Sequence, residues 1–154
     1  PYSIAMLLAS LPELPGFTIL ASDLSTRVLE TARRGLYPMS RINLIPEALK
    51  RRFCLRGQKE YEGMLLVAPA LRTHVTFRQL NLNEPLPAVG QFDCIFLRNV
   101  MIYFNVETKR AVIERIAATL RPGGLLFIGL SESLNGVSNQ LQVVEPAVYR
   151  KTAP

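Results

Sequence analysis

The sequence holds little with which to bind a metal or to build a nucleophile–base pair. It has two cysteines, Cys54 and Cys94, and one histidine, His74. No Cys-x-x-Cys occurs, so no zinc or iron–sulfur ligand set can be assembled. Two cysteines do not make a disulfide framework either, and the expected setting is a reducing, cytoplasmic one. Long apolar runs are lacking: Ile4–Ala9 is the longest, far short of the ~20 residues a membrane helix needs. The first residues carry no basic segment of signal-peptide type. There is no Gly-x-Gly-x-x-Gly and no phosphate-binding loop, which removes support for a nicotinamide or nucleoside-triphosphate site. No Ser–His–Asp or Cys–His arrangement stands out. His74 reads as a surface or structurally satisfied histidine, and Cys94 as a core residue rather than a nucleophile.

The chain does have the means to bury a core. Of its 154 residues 49% are apolar and 19% charged, a globular composition of one-domain size. The net charge of +6 favours acidic partners. The basic residues are scattered, however, and the short clusters Arg33–Arg34 and Lys50–Arg52 are not interleaved with aromatics. They read as a solvated face, with no nucleic-acid partner and no direct membrane insertion.

Along the chain, Tyr2–Leu11 reads as a buried helix stopped by Pro12 and by Pro15-Gly16. Phe17–Ala21 reads as a strand ending in Ser22-Asp23. Ser25 caps a helix that runs to Arg34 and stops at Gly35. Asp23 is open to two readings, a capping residue or a ligand-holding carboxylate. The forty or so residues before Val75 exceed an ordinary connection and imply an insertion, with a short helix over Pro46–Phe53 and a small antiparallel sheet. Tyr61–Val67 and His74–Leu80 read as strands. A further strand starts at Phe92, in the segment FDCIFLRNVMIYF (92–104). Asn105 caps a helix to Leu120, and Pro122-Gly123-Gly124 breaks it. Leu125–Gly129 is a strand, and Leu141–Val144 with Ala147–Lys151 forms a closing hairpin. Strands alternating with helices predict a mainly parallel α/β sheet, made mixed by that hairpin.

The polar residues Asp23, Asn81, Arg98 with Asn99, and Ser131 with Glu132 all fall at carboxyl ends of predicted strands, the edge where open α/β sheets bind ligands. A carboxylate there suits a ribose diol, and an amide suits an adenine edge. Position and residue type together point to an adenosine-containing ligand.

These residues also carry a family resemblance. FDCIFLRNVMIYF, LRPGGLLFIGLSESL, ASDLSTRVLETARRGLY, VTFRQLNL and VYRK resemble, in the same order, the chemotaxis receptor methyltransferases of the CheR type. The resemblance covers essentially the whole chain, 1–154. It implies a class I methyltransferase (Rossmann-like) mixed sheet, S-adenosylmethionine as methyl donor with S-adenosylhomocysteine as product, and glutamyl methyl esters on cytoplasmic helices of chemoreceptors. Carried over by position, Asp23 would hold the ribose, Asn81 and Leu82 would contact the adenine, and Leu97 and Arg98 would line the far end of the cofactor. Arg98 and Tyr103 would face the methyl group and the substrate glutamate; no metal is implied. The insertion, about 52–72, would be the family's β-subdomain, which in some members docks a C-terminal receptor peptide.

The chain departs from the family in two ways. The family's first strand, its glycine-rich loop and its N-terminal helical domain precede the block beginning at Pro1. The chain opens Pro-Tyr-Ser without a Met and is expected to be a fragment, inactive alone and a poor binder of cofactor. Leu130 stands where the family commonly has histidine. Two other readings are a methyltransferase for a small molecule or nucleic acid, and a non-enzymatic methyltransferase-like module that binds a signalling partner.

Overall fold

The computed structural model describes residues 1–14 and 16–152. Pro15, predicted to help stop the first helix, lies outside them. The predicted single domain packs as two compact units, Pro1–Leu80 and Asn81–Pro154.

The first unit contains α1 (Tyr2–Ala9), β1 (Ile19–Asp23), α2 (Thr26–Arg34), β2 (Leu36–Pro38), α3 (Glu47–Phe53), β3 (Cys54–Arg56), β4 (Met64–Val67), α4 (Pro69–Arg72) and β5 (Val75–Gln79). β1 and β5 run parallel, with Ile19 beside Val75 and Asp23 beside Gln79. The second sheet is antiparallel in the order β2-β4-β3. It starts earlier than the predicted insertion of about 52–72, because Leu36–Pro38 is its edge strand. Three residues that follow a helix stop and end in a proline give no strand signal of their own; pairing with β4 creates the strand. The predicted strand Tyr61–Val67 is shorter than expected, since Lys59–Tyr61 forms a 3-10 turn.

Local chemistry sets the helix ends. The Ser25 hydroxyl accepts from Val28 N at 3.4 Å, and Gly35 closes α2 at φ 66°, the left-handed conformation that glycine adopts without a Cβ penalty. α1 is buried along one face only: Tyr2, Ala5 and Met6 enter the core, while Leu7 is exposed. That core joins them to Val67, Leu71 and Val75. The Tyr2 hydroxyl donates to Ala32 O at 2.9 Å, tying α1 to α2. His74 is structurally satisfied, with Nδ1 3.1 Å from Phe17 O and its ring stacked on Phe17.

The second unit contains β6 (Phe92–Leu97), a 3-10 turn (Met101–Tyr103), α5 (Val106–Thr119), β7 (Leu120–Ile128), β8 (Leu141–Glu145) and β9 (Val148–Lys151). Its sheet order is β6-β7-β9-β8, with β6 parallel to β7 and the β8–β9 hairpin antiparallel. Parallel and antiparallel pairs therefore coexist, as predicted. Asn105 caps α5, its Oδ1 accepting from Thr108 N at 2.8 Å. Val112, Ile113, Ile116 and Ala117 turn one face of α5 into the core, with Met101, Leu126 and Ile128.

β7 begins at Leu120, five residues before the predicted start. Phe92 pairs with Leu120 and Cys94 with Leu125. Two steps along β6 thus span five along β7, and the excess puckers out around Gly123 at φ 78°. A bulge of this kind is where a strand tolerates proline. Cys94 is exposed, which corrects its reading as a core residue: alternation along β6 puts Cys94 and Phe96 on the open face.

Candidate functional site

The strand-end residues divide between the two units. In the first unit Asp23 is the last residue of β1. Its Oδ1 accepts from Ser25 N at 2.8 Å, while its main-chain oxygen receives Leu80 N at 3.2 Å. Ser25, not Asp23, is the N-cap of α2. Asp23 instead braces the turn between strand and helix with one carboxylate oxygen. A carboxylate has lone pairs beyond one such bond, so the turn leaves acceptor capacity at the strand's end.

In the second unit Asn81 opens the loop before β6. Its Nδ2 donates to Glu84 Oε1 at 2.8 Å and its Oδ1 accepts from Asn83 N at 3.0 Å. One donor and one acceptor site of the amide are therefore in local use, and one of each remains. Leu82 packs partly against the core, and its carbonyl accepts from the Arg115 guanidinium. Leu97 ends β6 with only 5% of its surface exposed; its side chain belongs to the core.

Arg98 differs from these. It is exposed, and among the described residues its side chain makes no hydrogen bond or ion pair. Tyr103 ends the 3-10 turn that precedes α5 and is 81% exposed. It does not pack on the start of the helix. A guanidinium and a phenol, neither used structurally, thus occupy one six-residue segment between a core strand and a capped helix. Met101, 1% exposed, pins that segment to the core.

Asn99 and Glu132 add a feature that residue type alone did not single out. Asn99 is left-handed at φ 60°. Glu132 Oε2 accepts from Gly129 N at 2.8 Å and from Asn99 N at 3.3 Å. Glu132 was visible in the sequence as a polar strand-end residue, but nothing in the local pattern tied it to Asn99. Leu130 is 82% exposed.

The thiols play no part in this arrangement. Burial raises the Cys54 thiol above its ordinary value; partial desolvation by the neighbouring strand and the Asp93 charge raise that of Cys94, exposed as it is. Neither is a thiolate at neutral pH. Among the described residues no group of three or more His, Cys, Asp or Glu side chains could hold a metal ion, and no helix is long and apolar enough to cross a membrane.

Each unit thus carries a parallel strand pair with polar residues at a carboxyl end: Asp23 in the first, Arg98 after β6 in the second. Residues 1–150 match the family model described as "CheR methyltransferase, SAM binding domain", and the chain belongs to that family. It is 45% identical over 152 residues to chemotaxis protein methyltransferase 2 of Pseudomonas aeruginosa, covering 97% of this chain and 54% of that protein. It is 42% identical over 153 residues to the chemotaxis protein methyltransferase of Escherichia coli, covering 97% and 53%. The chain therefore spans about half the length of the curated relatives it matches. Among solved structures it is similar to the N-methyltransferase NodS from Bradyrhizobium japonicum, at 14% identity and TM-score 0.49, over 88% of this chain and 74% of that one.

Proposed function

We propose that this chain is the cofactor-binding and reactive part of an S-adenosylmethionine-dependent protein-glutamate O-methyltransferase acting on chemoreceptors. The observation that carries the reading is the exposed and structurally unused pair Arg98 and Tyr103 on the β6–α5 connection, in a chain of the CheR family. Each unit offers groups of the type an adenosine ligand uses. Asp23 keeps acceptor capacity for a ribose diol, and Asn81 keeps one donor and one acceptor for a base edge. Leu82 and Leu97 would contribute apolar and main-chain contacts. When bound, the cofactor supplies a methyl group on a sulfonium, an activated leaving group.

What remains for the chain is alignment. A glutamate side chain with a pKa of about 4.3 is already ionised at neutral pH, so its attack needs no base, in keeping with the scarcity of histidine. The glutamate oxygen would take the methyl carbon as its bond to sulfur breaks, leaving a methyl ester and S-adenosylhomocysteine. Arg98 would hold the incoming carboxylate with its planar fork, and Tyr103 would orient one carboxylate oxygen by donating its hydroxyl. Both act by positioning and by exclusion of water. The antiparallel sheet β2-β4-β3 would dock a receptor tail peptide, and receptor helices would present the glutamates.

The test uses the full-length protein and receptor in a methyl-transfer assay, with calorimetric titration of cofactor. Arg98→Ala and Tyr103→Phe are expected to lower turnover by about tenfold or more, the worth of one charge-assisted or transition-state hydrogen bond. Cofactor affinity should fall less than turnover, and stability should stay near parental, because neither side chain is used structurally. Normal turnover in both variants would sink the assigned roles. Cofactor binding without transfer to any receptor would favour the non-enzymatic module.

A further inference from the structure

The second unit contains one side chain that joins two strand ends and still has an unused oxygen. Glu132 lies in the turn after β7. Its main-chain N donates to Gly129 O at 2.9 Å, while its Oε2 accepts from Gly129 N at 2.8 Å. These contacts alone would make it a local turn brace. The same Oε2, however, also accepts from Asn99 N at 3.3 Å, at the end of the neighbouring strand and 33 residues away. Asn99 directly follows Arg98 and is held at φ 60°, a left-handed conformation that asparagine adopts more readily than most residues with a Cβ, though still at some cost. Such a conformation persists when its surroundings over-determine it, and the bond to Glu132 is a long-range contact that does so.

Gly129 belongs to the same device. A Cβ on it would lie 2.6 Å from Glu132 Oε2 and 3.4 Å from Asn99 N. A Cβ there would displace the carboxylate from its place on the two amides. The other oxygen, Oε1, is buried without a hydrogen-bond partner. A buried acceptor without a partner is costly and rarely retained for turn stability alone.

We propose that Glu132 is a positioning residue for methyl transfer: through Asn99 it sets the chain reversal that aims Arg98 and the Tyr103 turn. The proposal rests on the methyl-transfer reading. Glu132 touches no reacting atom in this scheme. It acts by fixing the backbone on which the substrate-gripping side chains stand, and a small misplacement there is expensive in rate.

The experiment uses the full-length protein and reads three quantities in parallel: amide exchange at Asn99 and Gly129, cofactor affinity by calorimetry, and kcat and KM for receptor methylation. Glu132→Ala is expected to lose protection at both amides by about tenfold or more and to lower kcat by about tenfold or more, with cofactor affinity within about twofold. Glu132→Gln keeps a carbonyl oxygen for the same two donors, so it should recover most of the protection and turnover. Gly129→Ala, which displaces the carboxylate, should reproduce the alanine phenotype, and the two together should be no worse than either alone. Retained protection in Glu132→Ala overturns the latch. Lost protection with parental kcat, or Glu132→Gln as impaired as Glu132→Ala, overturns the positioning role. A parent protein that transfers no methyl group refutes the methyl-transfer reading instead, while the exchange data still decide the latch.

Discussion

Met101 and Ile102 are adjacent in the turn that carries Tyr103, and they make a matched pair. Truncation to alanine removes three heavy atoms from each. Met101 is 1% exposed and Ile102 52% exposed, so burial alone separates the two outcomes. Three buried groups at about 0.8 kcal/mol each give about 2.4 kcal/mol for Met101→Ala. The cavity left behind adds about 24 cal/mol per Å³ that fails to collapse. Because the turn can relax towards the core, the expected total is about 2.5–4 kcal/mol. For Ile102→Ala, half the burial and no sealed cavity leave about 1 kcal/mol. Met101→Leu, nearly volume-conserving, should cost less than about 1.5 kcal/mol. The chain contains no tryptophan, so urea unfolding is best followed by far-ultraviolet circular dichroism. If the two units unfold separately, only the transition of Asn81–Pro154 should move. Met101→Ala should also lower methyl transfer in the full-length protein, although no group on the substrate has been removed, because collapse of the turn shifts Tyr103. Equal costs for the two alanine variants, or a cost below about 1 kcal/mol for Met101→Ala, would refute the reasoning.

Two further predictions concern the first unit. Gly35→Ala places a Cβ 3.1 Å from Arg72 Cδ at φ 66°, and should destabilise by about 1–2 kcal/mol in urea, whereas an ordinary exposed Gly→Ala change is neutral or stabilising. At alkaline pH, burial raises the Tyr2 hydroxyl above its usual 10.0 against the opposing Arg72 charge, and burial raises that of Tyr37 as well. A raised tyrosine favours the protonated form in the folded state, so its contribution is fully present below about pH 10 and is lost as pH rises through the folded value. The urea midpoint should fall from pH 10 upward, and Tyr2→Phe should flatten that fall; an identical slope would show that Tyr2 is not the group responsible.

Much of the architecture was legible because it is written locally. Ser25, Gly35 and Asn105 mark helix ends through bonds to residues no more than three positions away, and the apolar run at Phe92 needs no partner to be recognised as a strand. What was not legible depends on pairing at a distance. Leu36–Pro38 is a strand only because β4 lies beside it, and β7 reaches back to Leu120 only because a bulge opposite Phe92–Cys94 absorbs Pro122. The candidate site divides in the same way. Strand-end position pointed to Asp23, Asn81 and Arg98. The local employment of the Asn81 amide, the core burial of Leu97 and the bond from Glu132 to Asn99 depend on neighbours that periodicity does not encode.

The end of α5 carries a consequence for synthesis. That helix has no basic residue in its last turn. The Lys151 ammonium, on β9, donates to Leu120 O at 2.7 Å from 31 residues downstream, placing a cation where the helix dipole is negative. On the ribosome, α5 therefore emerges well before the charge that completes its carboxyl end. The nascent second unit gains that cation only once its closing hairpin has formed.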